Sequence, residues 1–443
     1  MPKTKLLSCS SLEREVQKAA SMLREGRYKD LVIVSHTDAD GICGSIILEE
    51  ALKRLGLNVG DIYHIEKTYT EVIKRIYGAI EKKYEIGKVG VVFIDVGSEK
   101  LNDIGTLSNK LGVPSIIIDH HSREVVKGEV IPSNVVNLNC EDYSISGERE
   151  LAATTIAYIL AKNIDKNNVD LSYLAMIGAL DDCRALENGN QVSVDDAVKY
   201  KVDTKAGKSS LVAYDFDLVP QVLWTEENRK ITMESVKQIG SDTTLYATTH
   251  FFSNYAESMA RIKRALISRR YDCHISDGIE ECWSVFRKDF SRVITTITQD
   301  RNQKNEVVYT GRGFVFVNLS QIVDTNQFAA KYAGLIADEI GLNIYREPGF
   351  EDIRVVMVGQ KSRKDLPQFK GEVLLPEEKL KISYRLAGKT EAMLDLSQLI
   401  SYTKQALYEK DCSTGSHPSK GALTIDPAQL PTVLKLTENI VGR

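Results

Sequence analysis

The chain has 443 residues and a formal net charge of −4, with 43% hydrophobic and 27% charged residues. This composition is typical of a globular protein with two or three domains. No apolar stretch approaches the roughly 20 residues of a membrane-spanning helix, and the first residues lack the apolar segment of a signal peptide. We therefore expect a cytoplasmic protein with no membrane partner. The acidic balance excludes a protein that coats nucleic acid by charge alone, but it leaves open a nuclease whose carboxylates hold cations.

Strands and helices alternate over the first part of the chain. The spacing of apolar residues predicts helices at 11–24, 42–55, 70–83, 100–111, 152–162 and 171–180, and strands at 31–34, 62–64, 89–94, 115–118 and 135–138. Strands that alternate with helices at this pitch form parallel sheets with covered faces. We therefore predict an α/β domain with a parallel sheet over residues 1–190.

The sequence after residue 190 predicts two further regions. Residues 191–304 are expected to form a linker and a mostly helical middle segment, with its clearest helix at 255–268. A smaller α+β domain over 305–443 follows. Its predicted elements are a hairpin at 307–317, strands at 355–358 and 381–385, and helices at 327–340 and 394–409.

Acidic and histidine side chains follow three of the predicted strands at the point where each strand ends. The first strand leads into the run Ser35–Gly41, Asp95 follows the strand at 89–94, and Asp119-His120-His121 follows the strand at 115–118. In open α/β sheets, ligands bind in the crevice beyond the carboxyl ends of the strands. So many titratable groups could not be charged and buried together without cations. The sequence therefore predicts one metal site that contains His36, Asp38, Asp40, Asp95, His120 and His121.

The ligand types indicate which metals this site would take. Aspartate oxygens and neutral imidazole nitrogens in one shell suit Mn²⁺ or Mg²⁺, with Zn²⁺ and Co²⁺ as further candidates. No cysteine stands at a ligand position in these motifs, which disfavours metals that prefer thiolates. The mixed ligands favour Mn²⁺, and the set is large enough for two ions. Two ions about 3.5–4 Å apart can share a bridging carboxylate and activate a water for attack on phosphorus.

At these residues the sequence resembles the DHH phosphoesterase family, which is named for the triad Asp119-His120-His121. The resemblance extends over most of the chain. The first motif of the family, His-x-Asp-x-Asp-Gly, is matched from His36 to Gly41, and the second, an apolar strand that ends in an aspartate, is matched at Asp95. The resemblance implies an α/β catalytic domain and a smaller C-terminal domain, with the active-site cleft between them.

A further motif of the family, Gly-x-x-x-Asp at the end of a helix, matches Gly178–Asp182. Spacing favours Asp182 as its ligand, with Asp181 as the alternative. The resemblance implies that one ion is held by His36, Asp38 and Asp95. It also implies that the second ion is held by Asp40, Asp95, His120 and Asp182. Asp95 would bridge the two ions, and His121 would contact the scissile phosphate or assist the leaving oxygen, so both are expected to be catalytic.

The C-terminal region resembles the DHH-associated domain, which carries a Gly-rich motif with a histidine. The match is Thr414–Ala422, in which Ser416 stands where the family often has a glycine. Successive glycines let backbone N–H groups approach a phosphate closely. In a Ser-x-Arg strand of the same domain, Arg385 is carried over as a contact to the nucleotide backbone, because an Arg fork suits phosphate. The expected substrate-binding residues are therefore Arg385, Gly415, Ser416 and His417.

Two basic clusters leave their role open. One comprises Arg261–Arg264 with Arg269 and Arg270, and the other is Lys361–Lys364. Such runs are equally consistent with a solvated face and with a path that guides a single strand towards the metals.

The family includes pyrophosphatases, exopolyphosphatases, cyclic-dinucleotide phosphodiesterases, oligonucleotide phosphatases and RecJ-type exonucleases. Chain length and motifs indicate which of these members the chain most resembles. The Gly-rich motif favours the nucleotide-processing branch, and the inserted middle segment resembles the archaeal RecJ-like nucleases, some of which associate with the GINS complex of the replication machinery. The first hypothesis is a Mn²⁺-dependent exonuclease that releases 5′-nucleotides from single strands of DNA or RNA. The alternatives are a phosphatase for very short oligonucleotides and a replication scaffold bound to GINS.

Overall fold

The computed structural model describes residues 10–25, 28–123, 131–182, 186, 188–199, 213–214, 220–224, 230–268, 276–300, 304–363, 365, 367–369, 378–388, 394–407 and 414–442. The chain forms two compact units. The first comprises Met1–Thr244 with Met259–Ser276, and the second comprises Leu245–Ser258 with Asp277–Arg443. No helix among the described residues is both long enough and apolar enough to cross a membrane.

The first unit is built on a five-stranded sheet whose strand order is β2-β1-β3-β4-β5. Its strands are all parallel. They are β1 Asp30–His36, β2 Asn58–Ile65, β3 Val89–Ile94, β4 Ser115–Asp119 and β5 Val135–Asn139. The helices that alternate with these strands and follow them are α1 Ser10–Arg24, α2 Ala39–Arg54, α3 Thr70–Lys83, α4 Leu101–Leu111, α5 Ala153–Ile164, α6 Ser172–Asp182 and α7 Gln191–Lys199.

Burial explains why these strands form. Every residue of β3 and of β4 is buried, as expected for parallel strands that helices cover on both faces. The strand order reverses between β1 and β3, because β2 lies on one side of β1 and the later strands lie on the other. A reversal of this kind opens a crevice at the carboxyl ends of the two strands. The predicted parallel sheet of an α/β fold is confirmed.

The middle of the chain is distributed between the two units. Three short strands, β6 Ala213–Tyr214, β7 Pro220–Trp224 and β8 Lys230–Thr232, form an antiparallel sheet that the sequence did not predict. Strands of two to five residues are too short for their apolar periodicity to be read. Two helices, α8 Met233–His250 and α9 Tyr255–Ser268, follow. Helix α8 belongs to the first unit up to Thr244, and α9 returns to that unit from Met259.

The second unit contains a six-stranded mixed sheet in the order β13-β14-β12-β11-β10-β9. Its strands are β9 Val308–Gly311, β10 Phe314–Asn318, β11 Val355–Ser362, β12 Lys379–Leu386, β13 Thr414–Ser416 and β14 Lys420–Ile425. Its helices are α10 Ser276–Gln299, α11 Lys331–Asn343, α12 Leu396–Leu407 and α13 Leu430–Val441. Side chains from α12, α13 and one face of this sheet form a hydrophobic core.

One helix of the second unit begins later than its apolar pattern predicts. The sequence predicted a start at Gln327, but α11 begins at Lys331. The buried amide of Gln360 explains the difference, because its Nε2 donates to the carbonyls of Phe328 and Ala329, each at 3.3 Å, and its Oε1 accepts from the N–H of Ala333 at 3.0 Å. These bonds hold the preceding residues against β11 instead of in a helical turn.

Candidate metal centre

The first site residues lie where β1 gives way to α2. His36 is the last residue of β1, and Asp38 is the N-cap of α2, where its Oδ1 accepts a hydrogen bond from the N–H of Gly41 at 3.3 Å. A Cβ atom on residue 41 would lie 2.6 Å from the carbonyl oxygen of His36. The glycine of this motif is therefore required by the close approach of two backbone segments.

Asp95 follows β3 in a backbone conformation that is rare for a residue with a side chain. Its φ is +61°, in the left-handed region that aspartate and asparagine tolerate better than most residues. Its N–H donates to the carbonyl of Ile118 at 2.7 Å, which ties this turn to β4. Backbone conformations of this kind cluster at functional sites, and here the Asp95 carboxylate lies near His36 at the end of β1 and near His120 after β4.

The two oxygens of Asp95 face two different groups of ligands. Oδ2 lies 3.4 Å from Nδ1 of His36, and that nitrogen lies 2.8 Å from Oδ2 of Asp38. Oδ1 of Asp95 lies 3.2 Å from Nε2 of His120. Both carboxylates and both imidazoles are buried. Asp95 therefore stands between the two groups, with one oxygen towards each.

The second group gathers around Nε2 of His120. This nitrogen lies 3.1 Å from Oδ2 of Asp182 and 3.6 Å from Oδ2 of Asp40. The other ring nitrogen, Nδ1, is 2.8 Å from the carbonyl oxygen of Gly147. Because a carbonyl can only accept, Nδ1 carries a proton, so Nε2 is the ring nitrogen that could coordinate a metal ion beside these carboxylates. A Cβ atom on residue 147 would overlap the carbonyl oxygen of His120, so this approach requires glycine.

The start of α5 holds the carboxylate of Asp40. Its Oδ2 accepts from the N–H of Ala153 at 3.1 Å, and its Oδ1 accepts from the N–H of Thr154 at 2.9 Å. These N–H groups belong to the first turn of the helix, where backbone donors lack partners within the helix and the dipole favours an anion. The orientation of Asp40 is therefore fixed by backbone groups of the protein.

The pKa shifts of Asp40 and His36 indicate that the cluster contains more negative than positive charge. Burial and the charge of Asp95 raise the pKa of Asp40 well above its usual value. Burial opposes protonation of His36, but attraction to Asp38 and hydrogen bonds with Asp38 and Asp95 outweigh it and raise the pKa of His36 to about 9. Both shifts indicate that the cluster takes up protons where cations would otherwise compensate its carboxylates.

These residues fit divalent metal ions. The ligand atoms of His36, Asp38 and Asp95 lie within 4.8 Å of one another, and so do those of Asp40, His120 and Asp182. Oδ1 of Asp95 is buried and makes no hydrogen bond to any described residue, which suits an oxygen that coordinates an ion. Burial also raises the pKa of the nearby Cys43 thiol, so sulfur is not offered as a thiolate.

The first residue of the triad orients the third. Oδ1 of Asp119 accepts from the backbone N–H groups of His120 and His121, and it lies 2.8 Å from Nδ1 of His121. Its Oδ2 accepts from the N–H of Ser98 at 3.0 Å. Although burial opposes ionisation, attraction to His121 and these bonds hold the pKa of Asp119 below its usual value. Asp119 is therefore an ionised anchor for His121, whose side chain is 28% exposed, a role that the sequence alone did not reveal.

The two adjacent aspartates at the end of α6 have different partners. Asp182 lies in the cluster, as its distance to His120 shows. The Oδ2 atom of Asp181 accepts a hydrogen bond from the hydroxyl of Thr244 at 2.7 Å instead. Thr244 was not singled out from the sequence, because it lies in a helix without a recognisable motif.

The expected substrate-binding residues lie in the second unit. Gly415 and Ser416 belong to β13, and the buried His417 follows them, with its N–H donating to the carbonyl of Lys420 at 2.7 Å. The guanidinium of Arg385 makes two hydrogen bonds to the carboxylate of Asp338, at 2.6 and 3.1 Å. The charge of Arg385 is therefore already partnered within this unit.

Parts of both basic clusters are engaged within the chain. Lys263 lies 2.5 Å from the carboxylate of Glu49. Arg363 pairs with Asp365 at 2.7 Å, and its guanidinium lies over the ring of Phe252 at 4.5 Å from the centroid. These contacts favour a structural role for both side chains. The cluster members that lie outside the described residues are Arg269, Arg270 and Lys364.

Sequence comparisons agree with the motifs. Residues 30–179 match the model of the DHH family, N-terminal domain. An uncharacterized protein of Methanocaldococcus jannaschii is 28% identical over 196 residues, which cover 42% of this chain and 42% of that protein. A second uncharacterized protein of the same organism is 28% identical over 200 residues, 39% of this chain and 26% of its own length. The matches thus span less than half of these relatives.

Structural comparisons cover nearly the whole chain. A DHH domain from a member of the s1p family of ribosomal proteins has a TM-score of 0.62 at 16% identity, over 98% of this chain and 92% of that one. RecJ in complex with Mn²⁺ from Thermus thermophilus has a TM-score of 0.61 at 15% identity, over 100% of this chain and 56% of that one. CDC45 from Entamoeba histolytica has a TM-score of 0.51 at 13% identity, over 97% and 99%.

These identities establish the shared fold and not a shared activity. The family match falls on β1 to α6, the part of the chain that carries the cluster. The structural matches extend through the second unit. Residues 30–179 therefore match the DHH family, N-terminal domain, and the chain shares its fold with RecJ.

Proposed function

We propose that this protein is a Mn²⁺-dependent exonuclease that hydrolyses phosphodiester bonds of single-stranded DNA or RNA and releases 5′-nucleotides, in replication or repair in the cytoplasm. The observation that carries the proposal is the position of Asp95, with one oxygen towards His36 and the other towards His120. A carboxylate shared between two ligand groups is typical of two-metal phosphoesterase sites. Mn²⁺ is preferred for the mixed nitrogen and oxygen ligands, with Mg²⁺ or Co²⁺ as alternatives.

The residues divide between the two ions. One ion would be held by His36, Asp38 and Asp95, and the second by Asp40, Asp95, His120 and Asp182. When bound, the ions supply an activated water and offset negative charge on the phosphoryl oxygens.

The remaining work of catalysis falls to the protein. Asp119 holds Nδ1 of His121 at 2.8 Å, which directs the opposite ring nitrogen, Nε2, away from this anchor. From there His121 would contact the scissile phosphate or donate a proton to the leaving oxygen. The backbone N–H groups at the start of α5 hold the Asp40 carboxylate and would keep it oriented as a ligand.

The second unit would grip the end of the strand. Gly415, Ser416 and His417 would offer backbone and imidazole donors to a terminal phosphate. Arg385 would add a guanidinium, whose present partner Asp338 would keep it oriented between substrates. Such a grip on the terminus would favour cleavage at chain ends over cleavage of internal bonds.

Two alternatives differ in what they predict. A phosphatase for very short oligonucleotides would share the cluster but lose activity as strands lengthen. A replication scaffold bound to a partner such as GINS draws support from the fold that the chain shares with CDC45. The complete set of ligand residues favours an enzyme over a scaffold, although one protein can combine both roles.

The test is a time course with Mn²⁺ on single strands of DNA and RNA, from dinucleotides to long oligomers, labelled at either end. Release of mononucleotides from long strands supports the exonuclease, and the label position gives its polarity. Cleavage confined to the shortest substrates supports the phosphatase. Asp182→Asn should abolish every activity, whereas Asp195→Asn, an exchange at the surface of α7, should leave each rate unchanged.

A further inference from the structure

Thr244 joins two segments of the cluster through one hydroxyl group. It lies in α8, outside residues 30–179, and is 1% exposed. Its Oγ1 accepts a hydrogen bond from the N–H of Ala39 at 2.8 Å and donates one to Oδ2 of Asp181 at 2.7 Å. An N–H can only donate, so the hydroxyl accepts from Ala39, and its own proton is directed to the carboxylate of Asp181.

The two partners of Thr244 adjoin the ligands of the cluster. Ala39 stands between Asp38 and Asp40 at the start of α2, and its N–H is one of the helix donors without a partner inside the helix. Asp181 immediately precedes Asp182. The hydroxyl thus holds the first-motif turn, which would supply ligands to both ions, at a fixed separation from the end of α6, which would supply Asp182 to the second ion.

The packing of α8 supports this role. A Cβ atom on Gly240 would lie 3.0 Å from the carbonyl oxygen of Ile177 and 3.2 Å from Cβ of Asp181. A larger residue at 240 would therefore push α8 away from the end of α6. The glycine lets α8 approach closely enough for Thr244, one turn later, to reach Asp181.

We propose that Thr244 is a positioning residue of the metal centre, which sets the separation of Asp38, Asp40 and Asp182 through Ala39 and Asp181. The inference rests on the proposed function, because it requires that the cluster bind divalent ions. Groups that orient metal ligands typically change metal affinity by about 10- to 100-fold when they are removed. Asp181 becomes part of this positioning device and not a ligand.

The experiment titrates Mn²⁺ into the full chain by calorimetry and measures thermal unfolding by circular dichroism for each variant. Thr244→Val keeps the shape of the side chain and removes the hydroxyl, so we expect about 10- to 100-fold weaker binding with the number of bound ions unchanged. Thr244→Ser restores the hydroxyl and should restore most of the affinity. Thr248→Val is the matched control, because Thr248 is buried one turn along the same helix and its hydroxyl makes no hydrogen bond to any described residue.

The outcomes separate the inference from the proposed function. If the wild type binds Mn²⁺ and folded Thr244→Val binds it equally well, the role of Thr244 is wrong and the metal centre stands. If the wild type binds no Mn²⁺, the proposed function fails as well. If Thr244→Val does not fold, the titration is made with Asp181→Ala, for which we expect the same loss of Mn²⁺ affinity. Loss of one bound ion in Asp181→Ala would make Asp181 a ligand and overturn the inference.

Discussion

Asp95→Asn is the sharpest perturbation of the proposed centre. Asparagine has nearly the same shape as aspartate and tolerates a φ of +61°, whereas alanine at this position would add backbone strain. The exchange removes the charge that stands between His36 and His120, at 3.4 and 3.2 Å. Both ions would therefore lose their shared ligand while the fold is preserved.

The size of the effect follows from mass action. At Mn²⁺ concentrations about 100 times the dissociation constant, each ion stabilises the native state by about 2.7 kcal/mol, or about 5 kcal/mol for two. A gain of this size raises the melting temperature of a unit this large by about 10–20 °C. If affinity falls about 100-fold at both sites, the gain shrinks to about 0.8 kcal/mol, and the shift to about 2–3 °C.

The assay compares melting temperatures with and without Mn²⁺, together with hydrolysis of a labelled oligonucleotide. We expect kcat/KM to fall by about 10⁴-fold or more, since each lost electrostatic contribution is worth about 10²–10³-fold. Asp196→Asn is the matched control, because Asp196 is a buried carboxylate that pairs with Tyr158 and Lys162 outside the cluster. The bridging role would be refuted if Mn²⁺ raised the melting temperature of Asp95→Asn as much as that of the wild type. Activity of the variant within about tenfold of the wild type would refute it as well.

Further predictions address the other residues of the proposed mechanism. His121→Asn should lower kcat by about 10²–10⁴-fold without changing Mn²⁺ affinity, as measured by single-turnover kinetics and calorimetry; loss of a bound ion would make His121 a ligand. Mn²⁺ affinity should rise by up to about tenfold per pH unit between about pH 6 and 8. The reason is that ion binding displaces the proton that a pKa of about 9 keeps on His36; a flat profile by calorimetry would contradict this. His417→Ala should raise KM for oligonucleotides and leave Mn²⁺ affinity unchanged, and an unaltered KM would exclude the C-terminal grip.

Much of the first unit could be predicted because four of its five strands, all except the edge strand β2, are almost wholly buried. The run Val89–Ile94 is predicted and observed with the same bounds, since a short apolar segment that ends abruptly in an acid has few other structures available. The acids and histidines at such strand ends are visible in the sequence for the same reason. The prediction of a DHH-family, RecJ-like fold is confirmed by the comparisons.

The contacts that orient those ligands could not be predicted. Asp40 is held by backbone N–H groups of Ala153 and Thr154, more than one hundred residues away, and backbone groups leave no mark in a sequence. Ala39 and Thr244 are 205 residues apart, and a threonine within a helix is unremarkable. In the second unit, β14 and α13 were not predicted, because the Gly-rich segment before them was interpreted for its chemistry and not for its pairing with β14.

The backbone N–H groups of α5 that hold Asp40 affect how the metal centre would bind its ions. A carboxylate aligned by two backbone N–H groups keeps its orientation whether or not an ion is present. The centre therefore needs little reorganisation on loading, and folding does not have to wait for metal. The nitrogen and oxygen ligands that suit Mn²⁺ also suit Mg²⁺ and Co²⁺, so metal availability helps to decide which of these ions is bound. The identity of the bound ion would then follow cellular supply, and a change in that supply would alter the activity of the protein without any change in its amount.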